Sequence, residues 1–216
     1  MARGKLIRRI AVVLVFVLAA AGAVFYTRPI WCFNQVQSLQ LAMQGVESKE
    51  VILSEHRVHY YVRGPVNGTP LVLIHGLGGR SEDWVQMSPA LVQAGYRIYT
   101  PDLPGFGQSE QPADATYSIP EQAATVVSFL DAMELKKVDL VGWSMGGWIV
   151  QRVAIAHPDR IRRLILIDSA GLKVPPDWDT RLFTPTNPQE LDALDALLMP
   201  VPPKVCLLYT SPSPRD

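Results

Sequence analysis

The chain has 216 residues, 48% apolar and 19% charged, and its 20 basic residues are balanced by 20 acidic ones. Such a composition belongs to a globular chain able to bury a core; without a basic excess it argues against a nucleic-acid binder. Two cysteines, Cys32 and Cys206, exclude a disulfide framework, and no His/Cys spacing fits zinc.

Residues 1–28 stand apart from a soluble fold. Arg3, Lys5, Arg8 and Arg9 precede an uncharged run from Ile10 to Tyr26, closed by Arg28. As a helix the run reaches roughly 26 Å, the short end of a membrane span. Two readings stay open: an uncleaved single-pass anchor, or a secretory signal cut near Ala21-Gly22-Ala23. The flanking charges place the N-terminus in the cytoplasm and the remaining chain across the membrane, anchored or periplasmic. Residues 29–46 form a connector in which Cys32, Val36, Leu39, Met43 and Val46 share one helical face. The expectation is a short helix packing that stripe on the domain. A membrane-surface helix is the alternative, weakened by a polar face without Lys or Arg.

From residue 47 to 171 strands and helices alternate. Glu50 to Ser54 and Arg57 to Arg63 predict a hairpin, and Leu71 to Ile74 a buried strand ending at His75-Gly76. A helix is expected from Ser81, as its cap, to Ala94, then a strand over Arg97 to Thr100. Ser118-Ile-Pro-Glu121 has capping-box spacing and opens a helix to about Leu135. Val138 to Val141, Met145 to Ala156 and Leu164 to Ile167 continue as strand, helix, strand. The fold class is therefore α/β, a mainly parallel sheet with helices on both faces.

Three loops at strand exits carry the chemistry. Gly142-Trp143-Ser144-Met145-Gly146 fits G-x-S-x-G between an apolar strand and an immediate helix. A sharp strand-to-helix turn projects its apex hydroxyl from the sheet edge, so Ser144 is the expected nucleophile, with helix-start amides beside it. The glycines of His75-Gly76-Leu77-Gly78-Gly79 let backbone approach a ligand, and the Leu77 and Met145 amides can form a two-donor oxyanion hole. His75 and Asp102, the latter opening Asp102-Leu-Pro-Gly-Phe-Gly-Gln-Ser109, read as loop-fixing residues. No phosphate-binding glycine loop, metal cluster or organic cofactor is expected.

Together, His75-Gly76, Asp102 to Ser109, Gly142 to Gly147 and Asp168-Ser-Ala-Gly171 resemble the α/β-hydrolase superfamily over residues 50–205. The charged, apolar N-terminus and a lid-like Asn187-Pro-Gln-Glu-Leu191 are similar to its monoacylglycerol-lipase-type members. The resemblance implies a cofactor-free serine hydrolase of carboxylic esters or lipids, working through an acyl-enzyme at Ser144, with Leu77 and Met145 donating to the oxyanion. It also implies the order Ser, acid, His. The only histidine after Ser144 is His157, about 18 Å away along the intervening helix; Asp168 is an acid only in variant arrangements. The sheet is therefore expected to stop after about six strands, with base and usual acid beyond it, and the fragment to be nearly inactive, since losing the base costs on the order of 10⁶ in turnover. The last expected strand, at 164–167, is left as an unprotected apolar edge.

Residues 172–205 are expected to begin a cap, with Asn187 and Glu190 capping a helix over Pro188 to Leu198. The tail 206–216 resembles translated sequencing-adapter sequence and is expected to be non-native. The alternatives to an esterase are a C–C bond hydrolase or cofactor-free perhydrolase on the same fold, and a non-catalytic binding module. Oligomeric state is not legible in the residues.

Overall fold

A computed structural model of the chain describes residues 12–14, 16, 19, 22–172, 181 and 186–198. The tail at 206–216, most of 173–185 and residues 1–11 lie outside the described residues, as does part of the apolar run. Among the described residues no helix is long and apolar enough to cross a membrane. The chain divides into two units, 1–172 and 173–216.

The first unit is built on one six-stranded sheet. In chain order its elements are α1 (Pro29–Met43), β1 (Glu47–Leu53), β2 (His56–Arg63), β3 (Thr69–Ile74), α2 (Ser88–Gln93), β4 (Tyr96–Pro101), α3 (Ile119–Ala132), β5 (Val138–Trp143), α4 (Met145–Ala156) and β6 (Ile161–Ile167). The spatial order is β1-β2-β4-β3-β5-β6. The hairpin β1–β2 and the pair β2–β4 are antiparallel; β4–β3, β3–β5 and β5–β6 are parallel. The expected α/β class is thus present.

Alternation along β3 divides the core. Leu71 and Leu73 face Trp84, Ile98 and Val141 on one side of the sheet. Val72 and Ile74 face Leu103, Leu130, Ile149 and Val153 on the other, under α3 and α4. Each fully buried aliphatic side chain of this kind stabilises the fold by about 1.5–3 kcal/mol. Phe129 of α3 is wedged edge-on between Tyr60 and Tyr99, with centroids 5.2 and 6.4 Å away, and ties the hairpin to the parallel strands. At the other edge β6 has β5 as its strand partner among the described residues, and Leu164, Ile165 and Leu166 are exposed, matching the expected open apolar edge.

Three local expectations need correction. The helix expected over 81–94 is two pieces, a 3₁₀ turn at Ser81–Trp84 and α2. Pro89 lacks an N–H and disfavours helix in the residue before it, so Ser88 closes the gap with amide and hydroxyl both bonded to the Val85 carbonyl. Ser81 caps nothing: it is buried, and its amide donates to Asp102. Ser118 does hold the N-cap of α3, but without a side-chain bond to the helix; Thr116 takes Glu121 instead, at 2.6 Å.

The connector stripe is also corrected. Leu41 and Val46 dock against Tyr61, whereas Val36, Leu39 and Met43 are 57%, 63% and 81% exposed. Among the described side chains the last turn of α1 meets the sheet, through Leu41, just before the chain reverses at Gly45 to enter β1. Of the apolar run, residues 12–14, 16, 19 and 22–26 are described and are helical.

The second unit contains one described helix, α5 (Pro188–Leu198). Its start follows the expected chemistry: Asn187 accepts from the Glu190 amide at 2.9 Å, and the Glu190 carboxylate accepts from the Thr186 amide and hydroxyl.

Candidate active site

Ser144 sits between the end of β5 and the first residue of α4, with φ +53° and ψ −118°. A non-glycine residue held there is strained by about 1–3 kcal/mol and needs its surroundings to hold it. They do so from several directions. The Ser144 amide donates to the Ile167 carbonyl at 2.9 Å, and its carbonyl accepts from the amides of Gly147, Trp148 and Ala170. Its three neighbouring glycines are contact points: a Cβ on Gly142 would meet the Gly146 carbonyl at 2.3 Å, one on Gly146 the His75 and Ile74 carbonyls at 2.4 Å, and one on Gly147 the Ser169 hydroxyl at 2.3 Å. Helix α4 therefore rests directly on strand backbone, which is why this elbow is glycine-rich.

The 75–79 loop lies against the elbow. A Cβ on Gly76 would stand 3.2 Å from Ser144 Cβ. Within the loop the Gly79 amide bonds the Gly76 carbonyl at 3.1 Å. No described group accepts a hydrogen bond from the Leu77 or Met145 amide, so both donors are unshared among the described residues. A cavity of about 680 Å³ opens on the Leu77 side of the elbow, with Leu77, Arg80, Asp83, Trp84, Trp143 and Ile167 among its lining residues; Ser144 and Met145 do not line it. The buried Trp84 indole N–H has no partner among the described residues.

Two buried side chains lock the loop to the exit of β4. His75 accepts at Nε2 from the Leu103 amide (3.0 Å), so Nδ1 carries the proton and donates to the Gly76 carbonyl (2.8 Å). Burial holds its pKa below the ordinary imidazole value, so the ring stays neutral. Asp102 accepts from the Ser81 amide (2.7 Å), the Gln108 amide (3.0 Å) and His59 Nδ1 (2.8 Å). Burial alone would raise its pKa, but the bonds from His59 and the two amides outweigh it and hold the carboxyl below the usual range. Both residues fix loops, as the residue pattern implies. The partner of Asp102, His59, was not visible in the sequence, since strand pairing alone brings the two together.

His157 caps the far end of α4, a helix length from Ser144. Asp168 follows β6 with φ +42°, next to the Ser169–Ala170 segment that Gln151 of α4 holds at 2.8 and 2.9 Å. No described imidazole bonds the Ser144 hydroxyl.

An elbow of this shape on a mainly parallel sheet defines a class, and comparison with known proteins agrees. Residues 69–202 match the family described as alpha/beta hydrolase fold, more than half of the chain, and the chain belongs to that family. It is similar to a 2-hydroxymuconate semialdehyde hydrolase of Pseudomonas sp. (strain CF600), 41% identical over 130 residues, covering 59% of this chain and 45% of that protein. It is also similar to a pimeloyl-[acyl-carrier protein] methyl ester esterase of Aeromonas hydrophila subsp. hydrophila, 38% identical over 103 residues, covering 48% and 39%. Among solved structures it resembles a membrane phospholipase A, a bacterial virulence factor, with TM-score 0.71 and 30% identity over 88% of this chain and 63% of that one. The chain spans less than half the length of these two curated relatives. These relatives are hydrolases by name, acting on small molecules or lipids.

Proposed function

We propose that the protein is a membrane-tethered serine hydrolase of carboxylic esters, with monoacylglycerol-like lipids as its substrate class. Ser144 attacks the ester carbonyl, the alkoxide leaves, and water releases the acyl group from the Ser144 ester. The amides of Leu77 and Met145 hold the oxyanion; one such donor is worth about 2.7–4 kcal/mol of transition-state stabilisation. The observation that carries the reading is the strained Ser144 turn lying against Gly76, with two unshared amides beside it. The cavity next to Trp143 is lined by both apolar side chains (Leu77, Trp84, Trp143, Ile167) and charged ones (Arg80, Asp83), a mixture that suits an ester with an apolar chain and a polar head. No metal or organic cofactor enters this chemistry.

The tether rests on the basic N-terminus and apolar run, on the exposed Val36, Leu39 and Met43, and on the likeness to a membrane phospholipase A. The catalytic domain then lies outside the cytoplasm. Acid and base are assigned to sequence following residue 205, in the order acid, then histidine.

A fluorophosphonate probe tests the nucleophile. A form reading on past residue 205 is expected to label at Ser144 and to lose the label in Ser144→Ala, while the 216-residue chain labels Ser144 orders of magnitude more slowly. Labelling unaffected by Ser144→Ala rejects the assignment. The likeness to 2-hydroxymuconate semialdehyde hydrolase favours C–C bond hydrolysis as a second reading on the same machinery. Profiling that longer form on p-nitrophenyl esters of increasing chain length against a vinylogous diketone separates the two.

A further inference from the structure

On the hairpin side of the sheet three side chains, from β1, from β2 and from the residue that follows β4, form a hydrogen-bonded relay. Ser48 Oγ lies 2.8 Å from His59 Nε2, and His59 Nδ1 lies 2.8 Å from Asp102 Oδ2. The imidazole is 2% exposed and the carboxylate fully buried, whereas Ser48 is on the exposed surface of the sheet's terminal strand. The protonation pattern is set by the partners. An ionised carboxylate only accepts, so Nδ1 carries a proton, and in the neutral ring Nε2 accepts from the Ser48 hydroxyl. A hydroxyl bonded to an imidazole that a buried carboxylate orients is the arrangement that activates a serine.

Register supplies a further part. The Asp102 amide donates to the His59 carbonyl and the His59 amide to Ser109 Oγ, both at 2.8 Å, so the main chain of His59 is turned toward β4. Alternation then turns Tyr60 toward β1, where it pairs with Lys49. One residue along, the amide of Ser48 points out of the open sheet edge, available to an oxyanion formed on its own side chain.

We propose that Ser48, His59 and Asp102 form a second nucleophilic site that takes small activated acyl or phosphoryl donors at Ser48, independently of Ser144. In the acyl case Ser48 Oγ bonds the carbonyl carbon as the ester C–O bond breaks. The hydroxyl proton passes to His59 Nε2 and then to the departing alkoxide or phenolate, leaving an ester on Ser48; with a fluorophosphate Ser48 Oγ bonds phosphorus as the P–F bond breaks, and the proton leaves with fluoride. The site is shallow, because the terminal strand offers no walls, so it selects for reactivity over shape.

The whole constellation is present in this chain, so the 216-residue Ser144→Ala variant is the right test material, and failure here leaves the Ser144 reading untouched. It is incubated with p-nitrophenyl acetate or diisopropyl fluorophosphate, and adducts are located by peptide mass spectrometry. Ser48 is expected to react about 10²-fold faster than exposed Ser54 at the tip of the same hairpin, the gain general-base assistance gives. The advantage is expected to vanish in urea and in a folded His59→Gln variant, which keeps a donor toward Asp102 and lacks a base. Equal rates at Ser48 and Ser54 overturn the proposal, as does a folded His59→Gln chain that reacts as fast as its parent. Should that variant fail to fold, the urea comparison on Ser144→Ala decides alone: a Ser48 advantage that survives unfolding rejects the site.

Discussion

Substituting Gly146 by alanine tests whether the elbow is held by backbone-to-backbone contact. The added methyl carbon would stand 2.4 Å from the carbonyl oxygens of both Ile74 and His75. Ordinary contact begins at 3.4 Å, so α4 must retreat from β3 by about 1 Å. Neither obstacle can rotate away, since Ile74 is strand backbone between β4 and β5 and His75 is pinned at the strand exit by its ring bonds to the Leu103 amide and the Gly76 carbonyl. Overpacking of this kind costs about 1–3 kcal/mol, and Ala regains up to about 1 kcal/mol of helix propensity over Gly. A net loss of about 2 kcal/mol is expected, lowering Tm by about 4–8 °C for a domain of this size. Gly78→Ala is the internal control: its φ is +70° but nothing lies within 4 Å of the new carbon, so it reports backbone strain without collision. Thermal melts followed by circular dichroism are expected to rank Gly146→Ala well below Gly78→Ala. On the proposed function, a 1 Å shift of α4 would carry Ser144 and the Met145 amide with it, and a form reading on past residue 205 is expected to lose about 10²-fold in kcat. A Gly146→Ala protein melting within a degree of its parent would refute close contact between α4 and β3.

Other outcomes follow from the buried charges and the termini. Asp102→Ala strands His59 and two amides, and a loss of about 3–5 kcal/mol is expected in urea titrations. Asp102 also sets an acid limit: its folded pKa lies below its unfolded value near 3.9, so its contribution is complete above about pH 4 and fades as pH falls through the folded pKa. Stability measured between pH 5 and 2 should fall less steeply in Asp102→Asn than in the parent; equal slopes count against a depressed carboxyl. Arg162→Ala leaves Asp139, 1% exposed and held at 2.6 and 2.5 Å by that guanidinium, without its partner in the sheet. A loss of stability in urea titrations is expected, and Asp139→Asn in the same background should restore part of it. Sequencing the mature N-terminus from membranes tests the tether: an intact Met1 or Ala2 supports an anchor, and a start near Val24 supports a cleaved signal.

Strand and helix existence was legible wherever apolar runs met turn residues, as at Leu71 to Ile74 and Met145 to Ala156. The strained serine was legible too, because glycines at fixed spacing about a serine announce close backbone approach. Capping and docking were read less well. Ser81 and Glu121 have the right types at the right spacing, yet found other partners once Asp102 and Thr116 came within reach. The helical stripe of the connector is a correct periodicity with the wrong inference attached, since periodicity says which residues share a face and not what covers it.

The order of residues therefore determined the secondary structure, the elbow and the loop glycines, because these depend on local sterics and short-range hydrogen bonds. Tertiary structure decided what lies across strands: the Ser48–His59–Asp102 relay, the locking of the 75–81 loop by His75 and Asp102, and the exposure of Val36, Leu39 and Met43. Those contacts join positions up to 54 apart in the chain, from Ser48 to Asp102, and only sheet register, a collective property of many strand pairs, brings such residues within hydrogen-bonding distance.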